Sequence, residues 1–164
     1  EDMLVNRLRD LRLGNDELAA AIEWPEIVAL AHKNMEDAEK LVKEGSYADQ
    51  DDKKWLQRLC EEHERAIQER DVETLRRVSD AYDSLYFEVA RKDPGYWVGA
   101  LTRLKSVQGE MSNQGLAQEL FNQGDRAIAN NDVDGLKVAV GQLFRLVPDG
   151  REEKSEGELK STVL

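Results

Sequence analysis

The sequence predicts an all-α protein, an antiparallel helical bundle of two αα-hairpin lobes with about seven helices. Three observations lead there. Leu59, His63, Ala66 and Ile67, then Val72, Leu75, Val78, Tyr82 and Leu85, keep the three-and-four spacing that lines one helical face. Asp71 stands where the first face ends and the second begins, so its carboxylate can accept the free N–H groups of the next helix. The same signal then returns 61 residues later, with Ala66-Ile67, Asp71-Val72 and Leu75 matched by Ala127-Ile128, Asp132-Val133 and Leu136. One hairpin cannot bury its own apolar face, so two of one design argue for a helical array.

Taken in order, Met3 to Leu13 reads as a short helix with Leu4, Leu8 and Leu11 on one side and Gly14 as its stop. Asn15 or Asp16 is expected to cap a second helix, and Pro25 to kink it or to open a third. Ile27, Leu30, Ala31, Ala38, Leu41 and Val42 carry the stripe to Gly45, and an acidic loop with several candidate caps leads to Trp55. After the central hairpin, Asp93-Pro94 predicts a helix stop and a fresh start. We place the lobe boundary there: a first lobe over 1–93, a second hairpin lobe over 94–148 and a polar tail over 149–164. Trp97, Ala100, Leu101, Leu104 and Val107 line the next helix, and Leu116 to Ile128 and Val133 to Val147 form the second hairpin. Gly124, Gly135 and Gly141 weaken it unless helices approach closely there.

Composition excludes some functions. A net charge of −11 argues against binding nucleic acid or an anionic membrane, which needs clustered Lys and Arg. No apolar run reaches the length of a membrane span. The single Cys60 has no internal disulfide partner, which is compatible with a cytoplasmic setting.

Cys60 and His63 are three apart, yet no second ligand pair accompanies them, so no metal is expected. Clusters such as Glu61, Glu62 and Glu64 read as solvated helix faces rather than an acid–base pair. There is no glycine-rich phosphate loop, nucleophile elbow or HExxH, so no catalytic residue and no cofactor is expected in this chain. Phe87 and Tyr96 lie off the apolar stripes near the lobe boundary. With Trp97 they form the candidate partner interface, weighed against packing between lobes.

The stretch from Glu36 to Leu85 resembles the C-terminal helical lid of DnaK-type seventy-kilodalton heat-shock chaperones. Ala38-Glu39-Lys40 stands at a helix end, Gly45-Ser46 and Asp51-Asp52-Lys53 form a loop with acidic caps, and Ala66-Ile67, Asp71-Val72 and Leu75 form the closing hairpin. The second hairpin is similar to the extra C-terminal helices of bacterial relatives, and the acidic EEVD-type tail of some members is absent. The resemblance implies a non-catalytic, stress-response chaperone region. Its partners would be upstream chaperone domains and, through them, client polypeptides, with ATP bound in an upstream domain. The chain lacks an initiator Met, which fits a fragment of a longer protein. One alternative function stays open, an independent αα-repeat scaffold or adaptor that binds a protein partner, and among partners a homo-oligomer stays open.

Overall fold

The computed structural model describes residues 2–148; within 2–22 it describes the side chains of Arg7, Arg12, Gly14, Glu17, Leu18 and Ala21. The expected tail over 149–164 lies outside the described residues. The described chain is all helical, with no strand among the described residues. Its order is α1 (Asp2–Glu44), α2 (Gln50–Glu69), α3 (Val72–Ala90), α4 (Pro94–Ser106), a 3-10 turn (Gln108–Glu110), α5 (Gln114–Ala129) and α6 (Val133–Phe144). Among the described residues two compact units emerge, dividing between Phe87 and Glu88, inside α3.

The first 44 residues differ from expectation. Gly14 does not stop a helix, neither Asn15 nor Asp16 caps one, and Pro25 lies inside α1, a single helix of 43 residues. The physical reason is cooperativity. A glycine costs about 1 kcal/mol in a helix interior, which does not outweigh continued propagation on both sides. Pro25 removes one hydrogen bond, but its neighbours Trp24, Ile27, Val28 and Ala31 pack against Ala66, Ile67 and Leu75 and hold the register across it. The helix does end where expected. At Gly45 an added Cβ would come 2.3 Å from the Leu41 carbonyl oxygen, a fit only glycine allows.

In the first unit α2 begins at a capping box: the Asp49 carboxylate accepts from the Asp51 and Asp52 amides, and Asp52 accepts from the Asp49 amide at 2.8 Å. Helices α2 and α3 bury Leu56, Leu59, Ala66, Leu75, Val78, Tyr82 and Leu85. The Asn34 amide of α1 donates to the Ser79 carbonyl and hydroxyl of α3, which satisfies a buried polar site.

In the second unit Asp93 caps α4, with Pro94 in its first turn, as the Asp-Pro pair predicts. Helices α4, α5 and α6 bury Ala100, Leu101, Leu104, Leu120, Phe121, Val140 and Leu143. At Gly124 an added Cβ would stand 2.8 Å from a Leu101 methyl, so α5 lies close to α4 there. The Ser112 amide donates to the Leu146 carbonyl at 3.0 Å and ties the loop before α5 to the end of α6.

Candidate partner interface

The expected caps are built alike. Ahead of α3, the Arg70 amide donates to the Ile67 carbonyl and the Asp71 amide to the Ala66 carbonyl at 2.9 Å. These two bonds form a Schellman closure, with Arg70 in the left-handed region at φ 54°. The Asp71 carboxylate then accepts from the Thr74 amide and hydroxyl, so one residue both closes α2 and caps α3. Those two Thr74 bonds hold the Asp71 carboxyl below its usual range. Ahead of α6 the pattern repeats. The Asn131 amide donates to Ile128, the Asp132 amide donates to Ala127 at 2.8 Å, Asn131 has φ 54°, and the Asp132 carboxylate accepts from the Gly135 amide. The sequence repeat is thus a repeat of one turn geometry.

The expected aromatic anchor is corrected. Phe87 is 7% exposed and Tyr96 3%, so neither ring is available on the surface. Tyr96 falls one helical turn before Ala100 and two before Leu104, on the buried face of α4. Phe87 sits edge-on to the buried Tyr86 ring at 5.4 Å. Trp97 is half-buried and pinned: its indole N–H donates to the Arg91 carbonyl at 2.9 Å, and the Lys137 ammonium lies 5.9 Å from its ring centre.

The sequence reading did not anticipate two grooves in the first unit. One, of about 470 Å³, lies along α2 and α3 and is lined by Arg58, Glu61, Glu62, Arg65, Asp71 and Arg77, with Arg77 paired to Glu62. The other, of about 450 Å³, lies between α1 and α2 and is lined by His32, Met35, Glu39, Cys60, His63 and Ile67.

In the lining of this second groove the Cys60 thiol donates to Glu39 at 3.8 Å, and the His63 ring lies 5.8 Å from that of Tyr82. Neither His63 Nδ1 nor the Tyr82 hydroxyl makes a hydrogen bond of ordinary geometry. Burial raises the Cys60 and Tyr82 pKa values and lowers that of His63, so all three favour their neutral forms. A nucleophilic thiol needs the opposite bias. Among the described residues no group of three or more His, Cys, Asp or Glu is placed to hold a metal ion. No helix among them is long and apolar enough to cross a membrane.

No protein-family model, curated protein or solved structure matches this chain.

Proposed function

We propose that this chain is the non-catalytic C-terminal helical region of a DnaK-like chaperone. In this reading it acts by protein–protein contacts and closes over a substrate domain supplied elsewhere in the parent protein. The observation that carries it is the correspondence between the resemblance and local geometry. The Ala38–Lys40 stretch lies in the last turns of the long α1, Gly45 follows the end of that helix, and Asp49 and Asp52 form a capping box. Ala66 to Leu75 then makes the Schellman-and-cap turn. In this reading the protein works in the cytoplasm in the stress response, and ATP belongs to an upstream domain.

A second reading, an αα-repeat scaffold for a protein partner, is favoured by the recurrence of the same turn in both units. One experiment separates the two. The chain is joined behind the β-sandwich peptide-binding domain of a DnaK-type chaperone, and release of a fluorescent hydrophobic peptide is followed. Closure predicts release slowed by about tenfold or more. Unchanged release, with micromolar binding of the same peptide by the chain alone, would favour the scaffold.

A further inference from the structure

The continuity of α1 through Gly14 changes the meaning of its first half. In one unbroken helix, positions Leu4, Leu8, Leu11, Asn15, Leu18 and Ile22 follow one another at spacings of four, three, four, three and four. That is the d and a series of a heptad repeat, sustained over three heptads and ended by Pro25.

By helical position this series lies away from the arc that the helix turns toward its own unit. At 3.6 residues per turn the six positions cover an arc of about 80°, centred about 180° from the arc of Trp24, Ile27, Val28, Ala31, Ala38 and Val42. The latter arc is the one turned toward α2 and α3: Ala31 packs with Ala66 and Leu75, and Ala38 and Val42 are fully buried. Leu18, the described apolar member of the seam, is 61% exposed. The α2–α3 turn meets α1 near Trp24, where the Arg70 guanidinium lies 5.8 Å from the Trp24 ring and Arg76 pairs with Glu23. The helix runs on past that level by about 33 Å.

We propose that this segment pairs with the same segment of a second copy as a parallel two-stranded coiled coil. Two features favour a second copy over an unrelated groove. The four-three alternation drifts by about 20° per heptad on a straight helix, and a partner that supercoils with it, as an identical helix in register does, keeps the whole series in contact. Asn15 occupies an a position, where in parallel pairing it meets Asn15 of the partner subunit and the two amides can exchange hydrogen bonds. Antiparallel pairing, or an apolar groove, would bury that amide without a partner. The inference is independent of the chaperone reading.

The flanking charges supply a directional test. Arg7 falls at g and Arg12 at e, and both are exposed. In a parallel dimer Arg7 of one copy stands beside the other copy's Arg12, so like charges limit affinity. Sedimentation of the full chain from roughly 1 to 300 µM should show mass rising reversibly toward twice the monomer. Leu18→Glu should leave a monomer throughout with the helical circular-dichroism signal kept, because this side chain is already exposed in the single chain. Arg12→Glu should tighten association roughly threefold to tenfold by replacing repulsion with attraction. A wild-type chain that stays monomeric, or a dimer that Leu18→Glu leaves intact, overturns the proposal. Dissociation by Leu18→Glu with no response to Arg12→Glu overturns the parallel register and the part given to Asn15. Loss of binding to an upstream chaperone domain in Leu18→Glu, with a monomeric wild type, would assign the seam to that domain instead.

Discussion

His63 is buried at 7% exposure with its ring against Tyr82, and loss of solvation holds its pKa below the ordinary imidazole value. The nearby His32 acts in the same direction and Glu64 opposes it. The unfolded chain therefore binds a proton at about pH 6.5, where the folded chain still resists it. Stability should fall as pH drops through and below that value, down to the lowered folded pKa. Urea midpoints at about pH 7.5 and 5.5 measure this, and His63→Gln should lose less between the two than the native chain. An equal loss would remove His63 as the source. At the Schellman turn the backbone decides instead. Arg70 adopts the left-handed region at φ 54° and also reaches the Trp24 ring. Arg70→Ala and Arg70→Gly both lose that contact, but only glycine relieves the strain. The Gly variant should be the more stable of the two by about 1 kcal/mol. Equal midpoints would mean that the turn relaxes out of the left-handed region.

Among the elements, α5 and α6 carry glycines of opposite meaning. Gly124 is where α5 lies against Leu101, and an added methyl would stand 2.8 Å from that side chain. Gly141 sits on the exposed side of α6, with nothing within 4 Å of an added Cβ. One substitution therefore takes two signs. Gly124→Ala should destabilise by about 1–3 kcal/mol through overpacking, and Gly141→Ala should stabilise by about 0.5–1 kcal/mol through helix propensity. Thermal midpoints moving in the same direction would overturn the close approach of α4 and α5. The caps belong to this scale too. Asp71 and Asp132 each end one hairpin arm and start the other, which removes the need for a longer loop.

At the scale of the whole molecule, the two units share a turn but not an architecture. The first pairs a 43-residue helix with two helices of about half its length, and the second uses three short helices and a 3-10 turn. In the proposed pairing, a long helix whose two halves carry apolar series at opposite helical positions would serve its own unit with one half and a second copy with the other. The chaperone reading and the paired α1 seam make separable demands. Leu18→Glu should dissolve a dimer while leaving the peptide-release effect of the joined chain, so failure of one reading does not carry the other with it.

The sequence by itself determined the helical class, the hairpin turns and the caps at Asp71, Asp93 and Asp132. These follow from short-range chemistry: apolar spacing, a carboxylate beside free amides, and a proline that cannot continue a helix. The carboxylates of Asp71, Asp93 and Asp132 cap through amides no more than three residues away, and the closing amide bonds of Asp71 and Asp132 reach five, so their neighbours in the chain are enough to read them. Tertiary structure decided the remainder. Gly14 and Pro25 look like boundaries in isolation, but cooperative propagation and the packing of Trp24 to Ala31 carry α1 through them. Phe87 looks free of a stripe, yet the fold buries it, whereas Tyr96 continues the face of Ala100 and Leu104 one turn earlier. The candidate seam was hidden for the same reason. Leu4, Leu8 and Leu11 share a face with Leu18 and Ile22 only if the helix is unbroken, and that continuity is a property of the folded chain.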